Sequence, residues 1–451
     1  MYWLYSLLTA SGIILLSPYF LLRGFIQGKY LANIPERMGF RFPSELDAGR
    51  STGEQGKSIW IHAVSVGEVL AVLPLARRLK EKFPSLRLVV STTTATGQKL
   101  ARERVAFADA VFHFPLDWRG PVRRALAAAT PAAVIVVETE IWPNFLRECR
   151  RADVPVIFVN GRLSERSFRG YRRALLFSAG TLAGFLKRVL ADATLFLVQS
   201  DADAERLVSL GAPRERVLAT GNLKYDLAEP AESPLSSWLV GELARSGRRP
   251  VVVAGSVLAG EESLVLQAFA QVEREFPRAL LVLVPRKPEQ FDNAAGIVAE
   301  SGRRVLRRRD VSMNGTASAA LSAQGDVFLL DSIGELAGLY RLADAVFVGG
   351  SLVPAGGHNI LEPAAFGKVP VYGPSMENFR EMAANFLAAG GAVQVQNAGE
   401  LGSEWTAMLR EPERAARMGA RARALVEKNR GATERVLEHI ERVLASDGSR
   451  R

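Results

Sequence analysis

The sequence predicts an α/β protein of two lobes that face each other across a cleft, with an apolar helix in front of the first lobe. Short apolar runs alternate with stretches of helical periodicity, a Pro- and Ser-containing stretch interrupts this alternation near the middle, and the amino terminus lacks charge. Strands that alternate with helices form parallel sheets covered on both faces. The 451 residues suffice for two or three domains.

The amino terminus is long and apolar enough to cross a membrane. From Met1 to Leu22 no side chain is charged, and a helix of that length spans ~30 Å of hydrocarbon. We therefore predict an uncleaved anchor, with the rest of the chain on the cytoplasmic side because Arg23, Lys29 and Arg37 follow the apolar run. Ser17-Pro18 would break the helix, so a hairpin within one leaflet stays open as the alternative.

Strand–turn–helix units fill the rest of the chain. The first consists of the apolar strand in SIWIHAVS, Ser58 to Ser65, and the helical stretch EVLAVLPLARRLKEKFP. The pattern lapses around LAEPAESPLSS, which predicts a linker, and then restarts. The predicted organisation is a membrane anchor over 1–26, a first Rossmann-like lobe over 27–228, a linker over 229–248, a second Rossmann-like lobe over 249–428 and a terminal helix over 429–451.

The charge balance predicts an acidic partner. The chain has 57 Lys and Arg against 47 Asp and Glu, a net charge of +10. Anionic lipid, a phosphorylated substrate or nucleic acid would each suit such a chain, but no nucleic-acid recognition motif occurs, so nucleic acid is not a predicted partner. One cysteine excludes an intramolecular disulfide, and four histidines leave little material for zinc, so no metal site is predicted.

Three carboxylates follow strand ends of the first lobe, where ligands bind in doubly wound sheets. Glu68 lies in the first turn of a helix, whose dipole stabilises an anion, although an acidic residue there often only caps the helix. Glu138 and Glu140 flank Thr139 after an apolar strand, so alternation predicts that both point the same way. Because buried carboxylates are costly without cations, these two indicate a site.

A basic helix is predicted in ERSFRGYRRALLF. Arg166, Arg169 and Arg173 share one face of it, beside apolar residues. Such a run is often a solvated face. On a chain with an apolar anchor, it predicts contact with a membrane surface or capture of a phosphorylated lipid.

A glycine-rich loop in the second lobe predicts a phosphate site. Gly349-Gly350-Ser351 and Gly356-Gly357-His358-Asn359 precede a short helix, and backbone N–H groups of such loops approach phosphates. The loop is neither a Walker A nor a GxGxxG motif. Glu362 is suited to ribose hydroxyls and Arg286 to a phosphate. Residues 305–324 are predicted to form an exposed loop.

Seven motifs together carry a resemblance to a known family. They are SVGE (65–68), ETEIWPN (138–144), NGRLSERS (160–167), TGNLKYD (220–226), VPRKPE (284–289), IGELAGLYRLAD (333–344) and GGSLVPAGGHNILEPAAFGKVPVYGP (349–374). In this order they closely resemble the bacterial 3-deoxy-D-manno-octulosonic acid (Kdo) transferases of lipopolysaccharide synthesis, which are GT-B type glycosyltransferases. The resemblance implies inverting transfer of Kdo from CMP-Kdo to a tetra-acylated lipid A precursor at the inner membrane, without a metal or other cofactor.

The resemblance also implies roles for individual residues. Glu68 would be the general base, and Glu138 and Lys224 would stabilise the transition state. We expect CMP to contact the following residues: Pro285, Arg286, Gly334, Glu335, Leu336, Gly350, Ser351, Gly357, His358, Asn359, Ile360, Leu361 and Glu362. The residues expected at the acceptor are Ser65, Gly67, Thr94, Gly97, Glu140, Arg162 and Arg166.

This chain departs from the family pattern at a few positions. Lys287 stands where the family commonly has His, Pro354-Ala355 replaces a more charged pair, and Ile360 stands where Pro is frequent. Two other functions stay open as alternatives: a GT-B enzyme that uses another nucleotide sugar on a lipid acceptor, and a membrane-associated binding protein without catalysis. The required chemistry favours the transferase, because an attacking alcohol needs one carboxylate base when the reaction inverts.

Overall fold

Parallel β-sheets form the centre of both halves of the chain. The computed structural model describes residues 1–12, 15, 33–46, 56–177, 180–226, 233–311, 320–322 and 326–448, without the side chains of 166, 175–177 and 447–448. Two compact units are present. Unit 1 comprises Met1–Asp226 and Asn429–Arg451, and unit 2 comprises Leu227–Lys428.

Within the described residues, the sheet of unit 1 has seven parallel strands. They are β1 (Ser58–His62), β2 (Arg87–Thr92), β3 (Ala110–His113), β4 (Pro131–Val137), β5 (Val156–Gly161), β6 (Leu195–Val198) and β7 (Val217–Ala219). Their order across the sheet is β3-β2-β1-β4-β5-β6-β7. Every residue of β1, β4 and β5 is buried, as expected for strands covered by helices on both faces.

Helices cover both faces of this sheet. They are α1 (2–12), α2 (Ile34–Arg37), α3 (44–46), α4 (Val66–Lys82), α5 (Ala95–Arg104), α6 (Arg119–Ala129), α7 (Pro143–Arg151), α8 (Glu165–Phe177), α9 (Thr181–Ala191) and α10 (Asp201–Ser209). One face holds an aromatic cluster around Trp60, Phe112 and Phe145. The other holds mainly aliphatic residues such as Ile61 and Leu75.

Unit 2 repeats the architecture. Its strands are β8 (Val251–Val257), β9 (Leu280–Pro285), β10 (Arg304–Arg307), β11 (Asp326–Leu329), β12 (Ala345–Val348), β13 (Val371–Tyr372) and β14 (Val393–Gln394), all parallel and in the order β10-β11-β9-β8-β12-β13-β14. Its helices are α11 (Pro234–Ser246), α12 (Glu262–Glu275), α13 (Phe291–Glu300), α14 (Leu336–Leu339), α15 (Leu361–Ala365), α16 (Arg380–Ala388), α17 (Ala398–Arg410) and α18 (Pro412–Asn429). The prediction of two α/β domains with parallel sheets is confirmed.

Two predicted irregular segments contain regular structure. Within the predicted linker 229–248, α11 begins with a Ser233–Ser236 capping box and buries Leu239 and Leu243. An apolar stripe next to the Pro- and Ser-containing stretch produces this helix; residues 227–232 lie outside the described residues. The predicted exposed loop over 305–324 begins in β10, which pairs with β11 along its length; residues 312–319 and 323–324 lie outside the described residues.

The last helix, α19 (Ala432–Gly448), belongs to unit 1. Its residues Val436, Leu437 and Ile440 are buried in the aliphatic cluster of that unit. The carboxylate of Asp226 accepts the N–H groups of Gly431 and Thr433 at the start of α19. The predicted terminal helix therefore completes the first domain.

Helix α1 packs on unit 1 through polar side chains. Tyr2 Oη donates to Asp192 Oδ2 over 2.7 Å, and Asn144 Nδ2 donates to Ser6 Oγ over 2.9 Å. Among the described residues, no helix is both long and apolar enough to cross a membrane. The predicted anchor 1–26 includes residues 13–14 and 16–26, which lie outside the described residues.

Candidate active site

Glu68 and Glu138 both follow the carboxyl ends of central strands in the unit 1 sheet. Strands β1 and β4 are neighbours, and the strand order reverses between them. This switch point is where ligands bind in doubly wound sheets, outside the carboxyl ends of the strands. Glu68 lies in the first turn of α4 after β1, and Glu138 follows β4 directly. Both Glu138 and Glu140 lie close enough to raise the pKa of Glu68.

Glu68 is a buried acid whose pKa is raised to near neutral pH. Only 6% of its surface is exposed. The N–H of Val64 donates to its Oε2 over 2.7 Å, and the hydroxyl of Ser65 donates to its Oε1 over 2.9 Å. Burial raises the pKa of Glu68 to about 7 with help from the two neighbouring carboxylates, although both hydrogen bonds oppose the rise. Such a group can take up a proton near physiological pH, as a general base must.

Helix capping explains only part of this arrangement. In a capping box the Ser65 side chain would accept an N–H of the first helical turn. Here Ser65 makes no such bond and donates instead to Glu68. One oxygen of Glu68 thus caps the backbone at Val64, and the other is held by a hydroxyl that can rotate away.

Glu138 adopts a strained backbone conformation. Its φ is +60°, in the left-handed region that costs a residue with a side chain roughly 1–2 kcal/mol. Its Oε1 lies 3.5 Å from Lys224 Nζ, and both side chains are partly exposed. Strand β4 ends at Val137, so the turn at Glu138, and not the predicted alternation, directs this carboxylate. Strain of this kind concentrates at functional sites.

The neighbours of Glu138 are also held in position. The hydroxyl of Thr139 donates to the carbonyl of Arg162 over 2.6 Å and accepts the N–H of Arg162 over 2.9 Å. These two bonds tie the turn after β4 to the end of β5. Burial raises the pKa of Glu140, and Glu138 adds to the rise.

The turn that carries Lys224 is fixed by strand-end amides. Asn160 Oδ1 accepts the N–H of Leu223 over 3.0 Å, and Asn222 Oδ1 accepts the N–H of Lys224 over 2.9 Å. Asn222 Nδ2 in turn donates to Gln199 Oε1 over 2.9 Å. The ammonium group of Lys224 is therefore brought to Glu138 by a short and well-connected turn.

Two of the predicted acceptor residues, Thr94 and Gly97, pack against the backbone of Val64. The N–H and hydroxyl of Thr94 both donate to the Val64 carbonyl, over 3.1 and 3.2 Å. A Cβ at Gly97 would lie 2.8 Å from Thr94 Oγ1 and 3.3 Å from that carbonyl, so this close approach requires glycine. Gly67 is exposed. Arg166 lies in α8, and its side chain is outside the described residues.

The glycine-rich loop of unit 2 binds an anion that belongs to the chain itself. The N–H groups of Gly350, Ser351 and Leu352 donate to the carboxylate of Glu261 over 2.6, 2.9 and 2.9 Å. The N–H of Gly357 donates to the carbonyl of Gly350 over 2.7 Å. In contrast to the prediction, these N–H groups are therefore not free for a phosphate.

Several of the predicted donor residues are buried in unit 2. Ser351 is fully buried; its hydroxyl donates to the carbonyl of Val348 over 2.6 Å and accepts the N–H of Gly373 over 2.8 Å. The side chains of Ile360 and Leu361 are likewise fully buried, and Pro285 is buried at the end of β9.

Arg286, His358 and Glu362 form the polar part of the predicted donor site. Arg286 is exposed; after burial, its charge is the second cause of the lowered pKa of His358, and it opposes the rise that burial causes in the pKa of Glu362. Burial lowers the pKa of His358 to about 4, so its ring is neutral at physiological pH. Burial also raises the pKa of Glu362, whose Oε1 accepts from Asn359 Nδ2 over 3.4 Å. Among the described residues, the buried Nε2 of His358 has no hydrogen-bond partner.

The turn at Gly334-Glu335-Leu336 is held by an ion pair. Arg308 Nε donates to Glu335 Oε2 over 3.0 Å, and its NH2 group donates to Oε1 over 3.2 Å. Ser332 also donates to this carboxylate. Glu335, which the sequence analysis assigns to the donor site, thus already forms an ion pair with Arg308.

Sequence reasoning missed Glu261, Arg308 and Asn160. Glu261 could have been found, because it follows β8 at the place in unit 2 that Glu68 takes after β1 in unit 1. Arg308 pairs with a residue 27 positions away, and Asn160 binds a backbone group 63 positions away. No local pattern indicates such contacts.

Known proteins resemble this chain in sequence and in fold. Residues 32–227 match the family model described as 3-Deoxy-D-manno-octulosonic-acid transferase (kdotransferase). The 3-deoxy-D-manno-octulosonic acid transferase of Bordetella pertussis is 34% identical over 417 residues, which cover 90% of each chain. The enzyme of the same name from Haemophilus influenzae is 32% identical over 413 residues, which cover 91% of each chain.

A solved structure shares the fold at low sequence identity. Anabaena Alr3699/HepE in complex with UDP is 16% identical to this chain and has a TM-score of 0.53. The match covers 86% of this chain and 100% of that one. At this identity the likeness concerns the fold alone.

Proposed function

The chain belongs to the family of 3-deoxy-D-manno-octulosonic acid (Kdo) transferases and is a glycosyltransferase, and on this premise we propose that it uses CMP-Kdo as the donor. The acceptor is a hydroxyl of the phosphorylated, tetra-acylated lipid A precursor. Transfer inverts the anomeric centre and uses neither a metal ion nor another cofactor. Glu68 is the general base, and the burial of its carboxyl at the switch point of the unit 1 sheet is the observation that carries the proposal.

The proposed step moves one proton and breaks one glycosidic bond. The acceptor oxygen bonds to the anomeric carbon of Kdo while its proton passes to Glu68. The bond from that carbon to the phosphate oxygen breaks, and CMP leaves with the electron pair. One carboxylate base suffices when the attacking group enters opposite the leaving group.

Cationic side chains would stabilise the charges that develop. Lys224 follows β7, and its ammonium group lies 3.5 Å from Glu138 Oε1; we assign this pair to the transition state. Arg286 is exposed at the end of β9, where its planar fork suits the phosphate of CMP. Because the N–H groups of Gly350 and Ser351 already bind Glu261, the leaving phosphate depends on Arg286 and not on these two N–H groups.

We also propose that unit 1 attaches to the cytoplasmic face of the inner membrane. Helix α1 exposes a row of apolar side chains while its polar side chains bind the domain: Trp3 is 72% exposed, Leu7 52% and Leu8 64%. An exposed apolar helix face on a chain of net charge +10 suits an anionic bilayer.

Sedimentation with vesicles tests the attachment. Vesicles that contain phosphatidylglycerol should pellet the wild-type protein, and Leu8→Asp should pellet less. Val240→Asp, at a half-exposed apolar position of α11 in unit 2, is the matched control and should pellet like the wild type. Equal binding of Leu8→Asp would contradict the assigned surface.

Mass spectrometry of the lipid product tests the reaction. Purified protein is incubated with CMP-Kdo and tetra-acylated lipid A precursor, and mass increments report the donor and the number of sugars added. Glu68→Ala should abolish transfer while CMP-Kdo still binds. Glu148→Gln, which changes an equally buried carboxylate of α7 in unit 1, should retain turnover. Near-normal turnover of Glu68→Ala would refute the base assignment.

Nucleotide competition separates the alternatives. CMP should inhibit the reaction, and UDP should not. A product formed from a UDP-sugar but not from CMP-Kdo would establish another GT-B activity. No product from any nucleotide sugar would indicate a binding protein without catalysis.

A further inference from the structure

Glu261 is a fully buried carboxylate held by the backbone alone at four points. Its Oε2 accepts the N–H groups of Leu258 and Gly350 over 2.9 and 2.6 Å, and its Oε1 accepts those of Ser351 and Leu352, both over 2.9 Å. Three of these donors are consecutive residues of the glycine-rich loop. Consecutive N–H groups in a turn form a concave anion site, and here a side chain of the same domain fills it.

The two units use equivalent carboxylates in different ways. Glu68 follows β1 at the switch point of unit 1, and Glu261 follows β8, next to β12, at the switch point of unit 2. Glu68 accepts one backbone N–H and one hydroxyl. Glu261 accepts four backbone N–H groups, so its acceptor capacity is filled and it offers little to a substrate.

The bonds to Glu261 fix the start of the loop that leads to His358. Gly350 has φ +68°, a left-handed conformation suited to glycine, and a Cβ there would lie 2.8 Å from the His358 ring. The carbonyl of Gly350 also accepts the N–H of Gly357 over 2.7 Å. A shift of Gly350 would therefore move the imidazole against which it packs.

We propose that Glu261 is a positioning residue for the nucleotide-sugar site of unit 2. It holds the glycine-rich loop so that His358 and the following Asn359–Glu362 segment fit the donor, and it touches neither the donor nor the acceptor. This inference rests on the proposed function, which assigns the CMP-sugar to unit 2. It also explains why the loop needs neither a Walker lysine nor free N–H groups at Gly350 and Ser351.

Substitution by glutamine should disturb the loop specifically. The side-chain amide of Gln would present two N–H donors to a site made of N–H donors, so at least one backbone group would lose its partner. Aspartate keeps the charge but is one methylene shorter. We therefore expect Glu261→Gln to be the stronger defect and Glu261→Asp to recover part of the loss.

The experiment compares three variants of the full-length protein. Glu262→Gln is the matched control, because Glu262 is also fully buried but its Oε2 accepts the N–H of Gly260 in its own turn. Calorimetric titration with CMP alone measures the donor site without catalysis. Initial rates with CMP-Kdo and lipid acceptor give KM for each substrate and kcat.

The expected result is a selective loss of donor affinity. Glu261→Gln should weaken CMP binding and raise KM for CMP-Kdo by about tenfold or more, the size expected when a charged hydrogen-bond partner is lost. The KM for the acceptor and kcat at saturating donor should change less than threefold. Glu261→Asp should lie between Glu261→Gln and the wild type, and Glu262→Gln should match the wild type.

Each other outcome has a definite meaning. Equal CMP affinity in wild type and Glu261→Gln would overturn the inference, as would a fall in kcat alone, which general destabilisation produces. If Glu261→Gln does not fold, Glu261→Asp with unchanged CMP affinity would overturn it. Failure of the wild type to bind CMP would instead refute the proposed function.

Discussion

The raised pKa of Glu68 predicts how transfer depends on pH. A general base must be ionised to accept a proton. With a pKa of about 7, roughly one tenth of Glu68 is ionised at about pH 6 and roughly nine tenths at about pH 8. The acceptor kcat/KM should therefore rise about tenfold over this range and then level off. An acid with the ordinary pKa of 4.5 would produce a flat profile.

The raised pKa of Glu68 corresponds to a free-energy penalty on its charged form. Moving the pKa from 4.5 to about 7 corresponds to a penalty of about 3 kcal/mol on the charged form, at ~1.36 kcal/mol for each pKa unit. Burial is the largest cause, followed among the causes that raise the pKa by Glu138 and then Glu140. Removing the charge of Glu140 should lower the pKa of Glu68 and move the rise in activity to lower pH.

Initial rates at constant ionic strength measure this profile. Wild type and Glu140→Gln are compared with the same acceptor, so titration of the acceptor phosphates affects both profiles equally. The midpoint for Glu140→Gln should lie at lower pH than that of the wild type. A wild-type profile that is flat between about pH 6 and 8, or identical midpoints in the two proteins, would refute the electrostatic reasoning.

Three further predictions concern stability and positioning. The folded-state pKa of Glu68 is raised from 4.5 to about 7, so the stability of the wild type should fall as pH rises towards the folded-state pKa and then level off. The stability of Glu68→Gln relative to wild type should therefore increase between about pH 5 and 8, by up to about 3 kcal/mol. Gly357→Ala should lower thermal stability by roughly 1–3 kcal/mol or more, because φ is +75° and the added Cβ would collide with Met376. Arg435→Ala should reduce kcat more than donor affinity, because Arg435 Nε donates to the Thr220 carbonyl in the segment that leads to Lys224.

Specific measurements would contradict these expectations. Denaturant unfolding that gives Glu68→Gln the same relative stability at both pH values would exclude a buried ionised acid. Thermal melting of Gly357→Ala at the wild-type temperature would show that the loop can move away from the new methyl group. An Arg435→Ala protein with wild-type kcat would show that α19 does not influence the lysine.

Much of the fold could be predicted because its central strands are apolar on both faces. Continuous apolar runs such as PAAVIVV, which is β4, and LLVLVP, which is β9, predict a parallel sheet that is covered on both faces. Strand β10 escaped prediction because its sequence is RVLR. It lies at the sheet edge, where Arg304 pairs with Asp326 and Arg307 with Asp331. Partners distant in sequence compensate those charges, and local patterns do not reveal them.

The positions of Glu68 and Glu138 could be predicted from the sequence, but the hydrogen bonds within the candidate site could not. The rule that ligands bind at strand ends located Glu68 and Glu138, and both lie at the switch point of unit 1. The glycine loop was assigned to a phosphate because such loops bind anions. The loop does bind an anion, but that anion is the carboxylate of Glu261, 89 positions before Gly350 in the chain. Only the folded structure brings the two together.

The return of α19 to unit 1 determines when the first domain can finish folding. Ala432, Val436, Leu437 and Ile440 complete the aliphatic side of its sheet, yet they are synthesised after the whole of unit 2. A ribosome must therefore synthesise all of unit 2 before unit 1 can close its hydrophobic surface. Until that moment the nascent chain would expose this surface to chaperones, and a messenger truncated before α19 would yield a domain that holds the acid Glu68 but lacks part of its own core.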